Sequence, residues 1–231
     1  MSQAPSPART VLLRTLAEHL PAPAELSHPL RVGIDGVSAS GKTILADELA
    51  DYLRSQGRCV IRAGLDGFHN PPAIRHRLGS SSSKGYLRDS FDYQAVRKQL
   101  LEPLGPSGNR SHRVAAYDHH AERPLDTPLL DAPPDAILLF EGVMLYRPEL
   151  SSLFDYKIFV RVSFSVALER ARSRDLSKFG SMETLLQKYN HRFIPGQKQY
   201  LAENQPEIQA QAIIHNEDPA KPTIRFTSAA S

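Results

Sequence analysis

One cysteine, Cys59, stands in a chain of 231 residues, which excludes a disulfide framework and a thiolate metal cluster. No apolar run is long enough to span a bilayer, and the opening "MSQAPSPART" has no apolar core behind a basic start. Neither a membrane span nor a secretion signal is therefore expected, and the cytoplasm is the expected compartment. No Lys/Arg block or basic helical stripe accompanies the formal net charge of +3. So mild an excess argues against a nucleic-acid partner and suits a small anionic substrate. The length suits one α/β domain with a full core and a small lid.

Along the chain, strand-like and helix-like runs alternate. The first ten residues, rich in Pro, Ser and Ala, read as a disordered tail. "TVLLRTLAEHL" places Val11, Leu12, Thr15, Leu16 and Leu20 at helical intervals before "PAPAELSHP" breaks the pattern. "RVGID" reads as a first strand. Past Lys42, the residues Ile44, Leu45, Leu49, Tyr52 and Leu53 mark one helix face. "CVIRAGLD" is a second strand leading into Asp66, with Cys59 expected to pack at its start. The polar stretch "NPPAIRHRLGSSSSKGYLRDS" is expected to be a mobile loop, either an insertion or a flap over substrate. "YQAVRKQLLEPL" reads as a helix, and "HRVAAYD", "DAILLFEG" and "DYKIFVRV" as strands. "SVALERARSRDL" and "METLLQKYNHRF" read as helices separated by "SKFGS", and "AIIHN" and "TIRF" close the chain as strands. The alternation predicts a mainly parallel sheet flanked by helices on both faces.

The strongest local signal is "GVSASGKT", Gly36 to Thr43, which matches G-x-x-x-x-G-K-[ST] between a strand and a helix. Gly36 and Gly41 let the backbone turn tightly, so that the amides of Val37, Ser38, Ala39 and Ser40 can face a phosphate. The helix that follows adds unpaired N–H groups and the positive end of its dipole. Lys42 can reach the β- and γ-phosphates, and the Thr43 hydroxyl can hold Mg²⁺. A bare glycine-rich turn with a solvated lysine is the plain alternative. The chain lacks the N-K-x-D motif of GTPases, the "LSGGQ" of transporter ATPases and an Asp-Glu pair at the end of "AILLFEG". These absences favour phosphoryl transfer to a small acceptor over hydrolysis.

With "GVSASGKT", "LDGFH", "DSFDYQAV", "AAYDHH", "LLFEGVMLY" and "ERARSRD" in this order, the chain resembles the uridine kinase and phosphoribulokinase-like P-loop kinases. The resemblance runs from "RVGIDG" to "KPTI". It implies a three-layer P-loop fold over 29–231 with a small helical lid at about 170–195, preceded by a tail and helix at 1–28. It also implies ATP and Mg²⁺, a small-molecule acceptor and relatives that self-associate, although no interface can be read in this chain.

Asp66 lies at the carboxyl edge of the sheet, where ligands bind in open α/β folds. The resemblance gives it the role of taking the proton from the attacking hydroxyl; a turn cap is the alternative. Glu141 ends an apolar strand and needs a partner there, either a magnesium ion or a salt bridge. Arg170 and Arg174, four apart on a helix, match the lid arginines that grip phosphates, while Arg172 reads as solvated surface. Asp92 matches an aspartate that bonds the acceptor's ribose, or else it caps a helix. Tyr117 matches a residue near the nucleobase, or else it packs in the core. His69 can bond an acceptor hydroxyl or phosphate. His119 and His120, adjacent on an expected strand, should point to opposite faces.

Departures concentrate on the acceptor side. Uridine kinases follow the Tyr-Asp pair with an aromatic residue and then His and Arg. Here the text is "YDHHAERP", which offsets Arg123, the arginine expected to help read the acceptor. "LSKFGSM" also lacks the usual arginine after the lid glycine. A nucleoside 5′-hydroxyl, uridine or cytidine, is the leading acceptor. A sugar, sugar phosphate or pantothenate-like alcohol is the alternative, and a nucleotide-sensing protein without an acceptor is the alternative outside enzymes.

Overall fold

Apolar side chains alternate along three neighbouring strands, and each set faces a different layer of helices. The computed structural model describes residues 6–22 and 25–227. A six-stranded sheet is built from β1 (Leu30–Gly36), β2 (Val60–Gly64), β3 (Ile137–Gly142), β4 (Tyr156–Arg161), β5 (Ala212–His215) and β6 (Thr223–Phe226). Its order is β6-β5-β4-β1-β3-β2, and every neighbouring pair is parallel except β5 with β6. Leu30, Val32 and Ile34 of β1, Ile137 and Leu139 of β3, and Ile158 of β4 are buried on one face. They meet Leu12, Leu13 and Leu16 of α1 (Pro7–His19) and Leu45, Leu49 and Leu53 of α2 (Lys42–Ser55). Leu138, Phe140 and Phe159 face the other way, against Phe68, Leu100, Leu101, Tyr146 and Tyr200. A period of two with both faces covered is what a buried parallel sheet demands.

Several elements differ from the sequence reading. Helix α1 begins at Pro7, with the Arg9 N–H donating to the Ser6 hydroxyl at 3.3 Å, so the expected tail is already helical there. Residues 1–5 and 23–24 of the expected tail and break lie outside the described residues. Val11 and Ile44 are exposed, and Leu13 and Ala46 take inward places instead. Cys59 is exposed just before β2 rather than packed. "HRVAAYD" does not join the sheet. Ser111–His112 pairs with Leu130–Asp131, and Tyr117–Asp118 pairs with Arg123–Pro124, as two small antiparallel pieces. The Ala116 N–H donates to the Gly67 carbonyl at 2.7 Å, which ties this segment to the turn after β2 instead.

Half of the stretch expected to be a mobile loop is ordered. It contains a turn at Pro72–Arg75 and helix α3 (Ser83–Asp89), whose first turn is capped by Ser82. α4 (Tyr93–Val96) continues as a π-helical turn, Arg97–Leu101. The segment expected to form the lid follows β4: α5 (Phe164–Phe179) stops at Gly180, φ +74°, and α6 (Met182–Lys188) runs into a π-helical turn at Tyr189–Phe193. α7 (Ile194–Asn204) then returns to the sheet. Among the described residues, no helix is long and apolar enough to cross a membrane.

Candidate active site

The loop from Gly36 to Thr43 joins β1 to α2 at the carboxyl edge of the sheet. Two glycines are required there. A Cβ on Gly36 would lie 2.5 Å from the Val160 carbonyl oxygen, and one on Gly41, φ +94°, would lie 2.6 Å from the Asn216 amide nitrogen. Ala39 also holds a left-handed conformation, φ 59°. Gly41, just ahead of α2, has no side chain to cap the helix, which leaves its first N–H groups for an anion. Lys42 is buried and donates to the Val37 carbonyl at 2.9 Å. The Asn216 amide donates to the Ser40 carbonyl at 2.7 Å. From α7, the Gln197 Oε1 accepts the Ser38 N–H at 2.7 Å, and its Nε2 donates to the Ser38 hydroxyl at 3.2 Å.

Register brings the carboxylates to the same place. Glu141 on β3 lies opposite Ile34 of β1 and Gly64 of β2, so it stands between the loop's strand and the strand that leads to Asp66. A Cβ on Gly64 would lie 3.0 Å from the Glu141 carboxylate, so this glycine makes room for it. Asp66 is exposed in the 3-10 turn Leu65–Phe68. Lys42, Thr43, Asp66, Glu141 and Arg174 line one cavity of about 180 Å³. Burial pushes the Lys42 ammonium below the usual lysine range, against the pull of Glu141, Asp35 and Asp66. Burial raises the Glu141 carboxyl, against the pull of Lys42. A half-hidden carboxylate beside a buried cation and a threonine suits a dication with phosphate ligands. Among the described residues no cluster of three or more His, Cys, Asp or Glu could hold a metal unaided.

The two expected lid arginines do different things. Arg170 donates to the carbonyls of Asn216 at 2.6 Å and Glu217 at 3.1 Å, so its guanidinium is spent on bracing backbone. Arg174 pairs with Asp175 at 2.7 Å and lies beside the Tyr189 hydroxyl at 3.5 Å. Arg172 pairs with Glu169 on the surface. A second cavity, of about 810 Å³, opens on the other side of the loop between Ile44, Glu48, Arg170, Asn216 and Pro219. Lys42, Thr43 and Arg174 line both cavities.

On the acceptor side, Asp92 caps α4, accepting the Ala95 N–H at 2.9 Å. It also lines a cavity with Tyr117, His69 and Pro71. The Tyr117 hydroxyl donates to Glu122 at 3.1 Å. Arg123 is exposed in its strand pair and lines neither this cavity nor the one holding Asp66. His119 and His120 do not point to opposite faces. They follow the last strand residue, their rings lie 4.0 Å apart, and His119 stacks on His69 at 4.8 Å. His119 therefore joins the wall of the Asp66 cavity.

Sequence reasoning missed Asp35, Gln197 and Asn216. Asp35 had a signal: an ionisable residue inside an otherwise apolar strand, the same argument that singled out Glu141. The two amides had none, since only the return of α7 and β5 to the sheet brings them to the loop.

Residues 31–217 match the family described as Phosphoribulokinase / Uridine kinase. Similar proteins include uridine-cytidine kinase B of Dictyostelium discoideum, 28% identical over 176 residues, covering 75% of this chain and 70% of that protein. Uridine-cytidine kinase 2-B of Danio rerio is 29% identical over 187 residues, covering 74% of this chain and 69% of that protein. Among solved structures, a Bacillus stearothermophilus protein described as a possible uridine kinase superposes with a TM-score of 0.69 at 25% identity. The alignment covers 89% of this chain and 96% of that one. With its parallel sheet, its phosphate loop and a family match from β1 to just past β5, the chain belongs to the phosphoribulokinase / uridine kinase family of P-loop kinases.

Proposed function

We propose that the protein moves the γ-phosphate of ATP, bound with Mg²⁺, to a primary hydroxyl of a small acceptor. The observation that carries this reading is that Lys42, Thr43 and Arg174 line both cavities, so a phosphate tail entering from one meets an acceptor lying in the other. The loop amides and the open start of α2 bind the phosphates, and Lys42 offsets their charge. Thr43 and Glu141 would hold Mg²⁺, which when bound neutralises charge on the phosphate oxygens. Arg174, freed from Asp175, offers a forked donor to the transferring group. The acceptor oxygen bonds to the γ-phosphorus, the bridge to the β-phosphate breaks, and the hydroxyl proton passes to Asp66. A cytoplasmic setting, where ATP is plentiful, goes with this reading.

The relatives' names support a nucleoside acceptor, and Asp92 with Tyr117 in one cavity suits a ribose and a base. The test is titration of ATP·Mg²⁺ followed by acceptor-stimulated ADP release across uridine, cytidine, sugars, sugar phosphates and pantothenate. Nucleotide binding without stimulation by any acceptor would favour a sensing protein instead. Lys42→Ala should abolish turnover while the melting profile holds. Asp66→Asn should lower kcat by ~10²-fold or more while ATP binding survives, as removal of a general base does. An Asp66→Asn variant with full activity would rule out that role.

A further inference from the structure

Between the lid and the segment 75–82 lies a cavity of about 330 Å³ that the reaction above leaves unused. Its wall carries Arg75, Lys178 at the end of α5, Lys188 at the end of α6, and Arg192 in the π-helical turn. One carboxylate, Glu122, lines it, and that group is already paired with Arg75. Lys188 Nζ donates to the Ser80 carbonyl at 2.7 Å. Arg192, 4% exposed, donates to the carbonyls of Ser82 at 3.1 Å, Gly79 at 3.4 Å and Arg75 at 3.4 Å. Carbonyls satisfy the donors but neutralise no charge. Among the described residues, Lys178, Lys188 and Arg192 form no ion pair.

The surroundings register this excess. Burial and then Arg192 push the Lys188 ammonium down, and burial with Arg192, Arg75 and Lys188 pushes the His76 imidazole down. A lid latch alone would need donors, and neutral ones would serve. Lys178 is exposed and Lys188 half-buried, so water solvates both, whereas Arg192 is buried with no carboxylate partner, a cost that an anion in the hollow would offset.

The hollow also opens onto the reaction site. Tyr86, His119, Lys178 and Phe193 line both it and the cavity holding Asp66. The Asp92–Tyr117 cavity, in contrast, meets the reaction cavity only at His69. We infer that this hollow is a subsite for an anionic group, phosphate or carboxylate, carried by the acceptor whose hydroxyl faces Asp66. The inference rests on the kinase reading and departs from a neutral nucleoside. Forked guanidinium and ammonium donors suit such oxyanions.

The test uses matched alcohols with and without the charge: glycerate against glycerol, pantothenate against pantothenol, and ribulose 5-phosphate against ribulose, with uridine as the neutral nucleoside. The expected result is a kcat/KM at least ~10-fold higher for a charged member, as one charge-assisted hydrogen bond supplies. The carboxylate and phosphate members tell the two anions apart. The double substitution Lys178→Gln with Lys188→Gln should raise KM for the charged acceptor by ~10-fold or more. KM for ATP should stay within about twofold, since neither lysine lines the nucleotide-side cavity. Uridine or another neutral alcohol turned over as well as the charged ones, with KM unchanged in the variant, would overturn the subsite.

Thermal shift of the protein holding a non-hydrolysable ATP analogue decides the matter without turnover. Stabilisation by a charged member and not by its neutral partner, lost in the variant, upholds the subsite even if no acceptor reacts, in which case the kinase reading fails alone. No difference between partners overturns the subsite.

Discussion

Asp35 sits in β1 directly ahead of the phosphate loop, wholly buried, and accepts the Tyr200 hydroxyl, the Gly36 N–H and the Leu145 N–H. Burial raises its carboxyl from 3.8 to about 6, although the Tyr200 hydroxyl, the Gly36 N–H and the charge of Lys42 pull it down. The native state thus holds this proton more tightly than the unfolded chain does. Its contribution to stability is full below pH 3.8 and is lost as pH rises through about 6, a change of about 3 kcal/mol. Asp35→Asn removes that titration. Urea melts of wild type and variant from pH 3.5 to 7 should show the variant gaining on the wild type as pH rises, and parallel curves would refute the shift. At this scale the sequence was informative where chemistry is strict: Lys42, Thr43, Asp66 and Glu141 do converge on one cavity. It was uninformative where a residue's task depends on what folds against it. Arg170 and Arg174 have equal claims on a helical wheel, yet Asn216 and Glu217 claim the first and Asp175 the second.

Helix α1 shows what an element adds beyond its own turns. Ser6 caps it, and Leu12, Leu13 and Leu16 lie in the same core as β1 and α2. Leu16 is fully buried, so Leu16→Ala should lower unfolding free energy by about 2–5 kcal/mol, read from denaturant midpoints with an unchanged slope. The strands were legible because a period of two over apolar runs has few other solutions. α3 was not. Its "SSSSKGYLRD" has weak helical patterning, and the segment is held by Arg77 on Asp89 and by Arg192 on three carbonyls, contacts more than a hundred residues apart in the last case. The two π-helical turns carry no sequence mark either. Yet the buried Arg192 lies in the one at Tyr189–Phe193.

At the scale of the molecule, β1 lies between β3 and β4, so the loop after it can be gripped from both sides. β5 follows β4 in the sheet and delivers Asn216 to the Ser40 carbonyl and to the space a side chain on Gly41 would need. Asn216→Ala should therefore weaken ATP binding by ~5- to 10-fold, the worth of one hydrogen bond, with the sheet intact by circular dichroism. Unchanged affinity would show that the loop holds its shape alone.

That brace has a bearing on synthesis. A ribosome finishes the loop's sequence early but emits Asn216 only after the 172 residues that follow Thr43, and the sheet must form before that asparagine can dock. Stalled or clipped products ending short of that asparagine carry the nucleotide signature without its support. Such fragments should bind nucleotide more weakly than a chain in which that asparagine has docked.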